Sequence, residues 1–184
     1  MTMKPGLRKL ALATHLSVSV GWVGAVVAYL ALDVTVATSQ DPQMLRAAWA
    51  AMGLVVSRAI VPLALAALLT GFVMSLGTKW GLIRHWWVLI SFGLTVVATL
   101  VLLSETRVIS ASAAISADPT TSIDELRALP STLPHSVGGL LVLLVIQVLN
   151  VYKPQGMTRY GWRKQLEQRL ALQRASRTKS APQS

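Results

Sequence analysis

The chain has no cysteine, which excludes disulfide frameworks, thiolate zinc or iron–sulfur sites and a cysteine nucleophile. Charge is scarce: 13% of the 184 residues carry it, against about 25% in an ordinary soluble domain. Acids are scarcer still, 7 against 17 Lys and Arg, which leaves a formal net charge of +10. Aromatic side chains make up only 6% of the residues, too few and too dispersed for the stacking platform that single-stranded nucleic acid uses. No nucleic-acid partner is expected. Met44, Met52 and Met74 are scattered and give no copper-binding array. Nor do the remaining residues assemble a Ser–His–Asp arrangement, a phosphate loop or paired in-membrane carboxylates. What is abundant is apolar: 53% of the residues, with a mean hydropathy of +0.57. A disordered basic chain is thereby excluded.

Four apolar runs are long enough to cross a hydrocarbon core, which takes about 20 helical residues. They cover residues 10–32, 57–76, 86–104 and 136–152. The first is too long for the apolar part of a signal peptide, which runs about 7–15 residues, and is read as a retained span. With an even number of spans, 13 of the 17 basic residues fall on one side, in the N-terminal flank, the 77–85 connection and the tail. Six of the seven acids fall on the other, together with Arg46, Arg58, Arg107 and Arg127. Lys and Arg in short flanks mark the cytoplasmic side. The sequence therefore predicts an all-α, four-transmembrane-helix bundle in a plasma membrane, residues 1–152, with both termini cytoplasmic.

Several helix ends carry local signals. Asp41 before Pro42 is a strong N-cap pattern, so the second helix starts well outside its span and is expected to kink near Pro62. Ser122 and Glu125 form a capping-box pattern in the 118–134 connection. In the tail, residues 153–184, Thr158 precedes a helix in which Trp162, Leu166 and Leu170 recur every fourth residue among Arg163, Lys164 and Arg169. This reads as an interfacial helix attracted to membrane lipids with anionic headgroups. Residues after Ser176 are expected to be disordered.

Two groups of residues stand out. His15 lies about 8 Å inside the first span at 1.5 Å per residue, and His85 opens the third span on the same side. Two histidines on two helices near one face can ligate a b-type haem. Equally, His15 can bond a neighbouring helix while His85 joins an interfacial belt with Trp80, Trp86 and Trp87. The second group lies at the outer boundary. Depth counting puts Arg58 and Glu105 both about 27–29 Å above the inner face, with Arg107 and His135 nearby. An Arg58–Glu105 ion pair is one reading and independent snorkelling is another. Gly71 and Ser75, Gly21 and Gly24, and Gly138 and Gly139 stand at spacings that let helices approach closely.

The run His15-Leu16-Ser17-Val18-Ser19-Val20-Gly21-Trp22-Val23-Gly24 resembles the first helix of bacterial four-helix integral membrane protein families. These include an uncharacterised actinobacterial-type group and, more distantly, copper-resistance D-type proteins and the membrane-type protoporphyrinogen oxidase. Residues 69–87 and Tyr160-Gly161-Trp162-Arg163-Lys164 look like the actinobacterial-type group in particular. The resemblance implies that His15 faces a cofactor. The oxidase also uses a lysine within a helix, and no span here contains one. The leading expectation is a non-enzymatic membrane protein with a structural or interaction role, as a homo-oligomer or with a membrane partner. A haem b or metal-binding protein for electron transfer or cofactor handling is the alternative, and a small transporter subunit the next.

Overall fold

The computed structural model describes residues 3–77 and 81–180, with side chains through residue 174. Lys79, Trp80, the side chains of Arg177 and Lys179, and residues 181–184 lie outside the described residues. Among those described the fold is all-helical, with no strand. The elements are α1 (Pro5–Thr38), α2 (Pro42–Val55), a π-helical turn (Val56–Ile60), α3 (Val61–Gly77), α4 (Trp86–Ala117), α5 (Ile123–Arg127), α6 (Leu133–Tyr152) and α7 (Arg159–Ser180). Because α2, the π turn and α3 are continuous, four helices are long and apolar enough to cross a membrane: Pro5–Thr38, Pro42–Gly77, Trp86–Ala117 and Leu133–Tyr152. The first three hold 34, 36 and 32 residues. At 1.5 Å per residue each exceeds a hydrocarbon core of about 30 Å by half or more. The fourth has 20 residues, starting three earlier than its apolar run because Pro134 is accommodated in the first helical turn.

The core of the bundle is built from Trp22, Val26 and Tyr29 of α1, Trp49 and Met52 of α2, Ala64 and Ala67 of α3, Ile109 of α4, and Leu143 and Ile146 of α6. Val56 and Ile60 join it from the π turn. Near Pro62, where a kink is expected, the helix carries a π turn immediately before the proline. Proline supplies no N–H and crowds the carbonyl four residues back, and the wider turn relieves that crowding. It also keeps one face inward. The buried positions Met52, Val56, Ile60 and Ala64 are spaced by four, a step that drifts by about 40° each time in a regular α-helix. The larger number of residues per turn in the π segment offsets part of the drift.

The starts of α1 and of α7 lie at one end of the bundle, the proximal end. Met3 N–H donates to the Gly77 carbonyl (3.2 Å), and Trp86 N–H donates to the Gly156 carbonyl (3.3 Å). Thr158 fastens the tail there. Its N–H donates to Arg84 O (3.1 Å), its hydroxyl donates to Ile83 O (2.5 Å), and its Oγ1 accepts from Gly161 N–H (3.1 Å). The expected cap therefore doubles as a clamp on the 81–86 connection. Only glycine fits at 161, since a Cβ there would lie 2.4 Å from the Arg84 carbonyl oxygen. Helix α7 then runs to Ser180, four residues past the point where the sequence reading ends order. Its apolar row is uncovered: Trp162 is 62% exposed, Leu166 59% and Leu170 43%.

The distal end is held by caps and one arginine. Asp41 accepts from Gln43 N–H at 2.9 Å, and Ser122 with Glu125 forms the complete capping box. The Ser122 backbone and hydroxyl bonds hold the Glu125 carboxyl below its ordinary pKa, and bonds from the hydroxyl and N–H of Thr120 do the same for Asp118. Between these caps, Arg46 of α2 reaches across to the end of α4. Its guanidinium donates to the carbonyls of Ser116 (2.8 Å), Asp118, Pro119 (3.4 Å) and Thr121 (2.5 Å).

Candidate functional site

Two cavities open into the bundle, one at each end. The proximal cavity has a volume of about 620 Å³ and lies between α1, α3, α4 and α6. His15 stands on its wall. The hydroxyl of Thr70 donates to Ala66 O at 2.7 Å, and His15 Nδ1 lies 2.9 Å from that hydroxyl oxygen. The two side chains are thus within hydrogen-bond reach of each other, which ties the imidazole of α1 to α3. Gly71 makes room for the ring, since a Cβ there would come within 3.3 Å of His15 Cε1. The expected small-residue contact at Gly71 therefore serves a histidine rather than a bare backbone.

Around His15 the lining is amphipathic. Apolar walls come from Leu12, Leu68, Met74, Trp87 and Ile146, and Ser19, Ser91, Thr95, Gln147 and Asn150 add neutral polar groups. Arg8 and Lys153 add basic groups to the lining, and no Asp or Glu lines the cavity among the described residues. Arg8 has no ionic partner among the described residues. The cavity thus combines apolar walls with basic groups.

His85 is not on this wall. It occupies the N-cap of α4, where its backbone bridges to Met157. The two-histidine set expected for haem b is therefore not assembled at the cavity, and no group of three or more potential metal ligands occurs among the described residues. The interfacial belt is also redrawn. Trp86 is 52% exposed, but Trp87 is 8% exposed and faces the cavity.

The distal cavity, about 290 Å³, lies chiefly between α1, α4 and α6. Its walls are mostly apolar, with Tyr29, Glu105, Thr132, His135 and Ser136 among the residues that supply polar groups. Here the sequence reading needs a correction. Glu105 pairs with His135 (Nε2–Oε1 3.6 Å) and not with Arg58. Arg58 and Arg107 are exposed and have no ionic partner among the described residues. Helix geometry explains the difference. Arg58 is two residues from buried Val56 and from buried Ile60, and Arg107 is two from buried Ile109, so both point to the opposite face. Glu105 is four residues from Ile109 and shares its face. Gly138 and Gly139 likewise line this cavity, and a Cβ on either would meet nothing within 4 Å. They open space instead of bringing helices together.

Behind the distal cavity lies a network that the sequence reading missed. Tyr29 Oη donates to Thr132 Oγ1 at 3.0 Å, and Thr132 Oγ1 donates to Asp33 Oδ1 at 2.5 Å. Asp33 is 3% exposed, although the apolar run stops at Leu32 and assigns it to the loop. Its Oδ2 is buried with no hydrogen-bond partner. A signal was available: Tyr29 and Asp33 are four residues apart, and α1 continues beyond both.

Comparison of the chain with protein-family models, curated proteins and solved structures yields no match.

Proposed function

We propose that the chain is a multi-pass plasma-membrane protein, both termini cytoplasmic, whose non-enzymatic role is to hold an amphiphile with an anionic head in the proximal cavity. The observation that carries this reading is the cavity's composition: apolar walls, a neutral polar middle with His15, and two basic residues, Arg8 and Lys153, in its lining. The size agrees with ligand pockets generally, which range over about 300–1,000 Å³. Orientation rests on the basic residues, which gather at the proximal end in the N-terminal flank and tail. Helix α7 supports the same side. Its uncovered row of Trp162, Leu166 and Leu170, with Arg163, Lys164 and Arg169 around it, suits a surface of anionic lipid at about 1 kcal/mol per basic residue. The Thr158 clamp ties that helix to the connection leading into α4, so anionic lipid gathers beside the cavity.

Native mass spectrometry of the detergent-released full chain with oleate and with oleyl alcohol tests the reading. Oleate is expected to bind about tenfold more tightly, as one charge-assisted contact suggests, and Arg8→Gln removes the preference. Equal affinity for acid and alcohol contradicts the proposal. A Soret band that disappears in His15→Ala also overturns it, in favour of haem.

A further inference from the structure

The distal cavity has the opposite chemistry, and we infer that it is a separate binding site for an apolar chain bearing a primary ammonium head. No Lys or Arg lines it, and its one acid, Glu105, has His135 at 3.6 Å as its ionic partner among the described residues. Tyr29 and Thr132 add oxygen atoms to the same polar edge, and Asp33 stands directly behind Thr132 with one carboxylate oxygen buried and unpartnered. A buried carboxylate without a cation is unfavourable unless something compensates its charge. An ammonium supplies a positive charge and up to three hydrogen-bond donors to this edge, where a carboxylate head would meet Glu105 with Asp33 close behind and an alcohol would bring no charge. The remaining lining, including Val97, Val101 and Val142, is aliphatic and suits the chain. At about 290 Å³ the volume sits at the lower end of ligand pockets, about 300 Å³, which favours a single chain.

The two sites are independent. Trp22 and Leu143 line both cavities and, at 4% and 5% exposure, form the wall between them. Neither Arg8 nor His15 reaches the distal side, so the inference stands or falls apart from the proximal reading.

Native mass spectrometry of the full chain with dodecylamine and dodecanol tests it, with phosphatidylethanolamine as competitor. Dodecylamine is expected to bind about tenfold more tightly than dodecanol. Glu105→Gln brings the two together, and Arg8→Gln leaves the difference unchanged. Gly139 lines the cavity and a Cβ there meets nothing within 4 Å, so Gly139→Leu is expected to fill the space and abolish binding of both while the fold persists. That variant decides the matter where Glu105→Gln does not fold. Competition by phosphatidylethanolamine identifies a lipid headgroup as the source of the ammonium, and absence of competition identifies a free single-chain amine. Equal binding of amine and alcohol overturns the inference, as does an amine preference that survives Gly139→Leu.

Discussion

Trp49→Ala is expected to destabilise the bundle by about 3–5 kcal/mol, the cost of removing a large side chain from a close-packed interior. Trp49 is 1% exposed, and Leu45 and Met52 of the same helix face are 1% and 0% exposed. The α2 stripe packs against α4 so closely that a Cβ on Gly53 would come within 3.1 Å of Ala113. The neighbourhood therefore has little freedom to collapse into the space vacated. Trp49→Phe separates volume from hydrogen bonding. The indole Nε1 is buried without a partner, so losing its N–H sacrifices no bond, and the loss is expected to stay below about 2 kcal/mol. Thermal and SDS unfolding of the purified variants give both numbers. A cost below about 1 kcal/mol for the alanine variant contradicts close packing at this site.

Arg46→Met is expected to cost about 2–3 kcal/mol and to open the distal connection to proteases, since hydrogen bonds to a charged donor contribute about 1.5–3 kcal/mol and neighbouring ones do not add fully. The guanidinium serves four carbonyls, from Ser116 to Thr121. Methionine retains much of the stem and none of the donors. Arg46→Lys keeps the charge but concentrates it at one point, so it recovers less than half of the loss. Cleavage between residues 117 and 122 in limited proteolysis, absent in the unmodified chain, is the direct readout. Unaltered resistance in Arg46→Met would mean that the caps at Asp41 and Ser122 hold the connection without it.

Which features the sequence displayed follows from what each depends on. The four membrane-length helices depend on apolar composition alone, and composition is visible in any window of 20 residues. Caps at Asp41, Ser122 and Thr158 depend on neighbours two or three residues away and were equally legible. Helix ends were legible unevenly: Asp41 before Pro42 placed the start of α2 outside its span and the Ala-, Ser- and Ile-rich stretch after Ser104 carried α4 on, whereas α1 runs past its apolar run to Thr38 with no such signal. Asp33 shows the consequence. It continues the stripe Trp22, Val26, Tyr29, whose spacings of four and three residues mark one buried face, yet counting apolar residues ended the span one position earlier. Depth alone likewise paired Arg58 with Glu105, whereas depth combined with helical phase separates them. Pro62 announced an irregularity in its helix without saying that it would be a π turn, and the role of Arg46 could not be seen, since it depends on how two distant segments meet. The cavities belong to the same category. No single helix carries them, and the glycines at 71, 138 and 139 acquire meaning only from what faces them.

The two cavities explain the chain's charge asymmetry in a way that topology alone does not. Basic residues gather at the proximal end, and two of them, Arg8 and Lys153, also line the proximal cavity. The acids at the distal end include Glu105 and Asp33, which are gathered at and behind the distal cavity. Opposite heads are thus favoured at opposite ends of one bundle, with Trp22 and Leu143 between them.

Photolabelling with a diazirine derivative of oleate, followed by mapping of the modified peptides, tests the central reading most directly. The account expects adducts on the proximal wall, within residues 12–23 of α1, 67–75 of α3 and 146–151 of α6, and expects free oleate to suppress them. Adducts confined to the outer surface of the bundle, at Leu65, Leu100 and Leu141, which are 47%, 61% and 59% exposed, would contradict it.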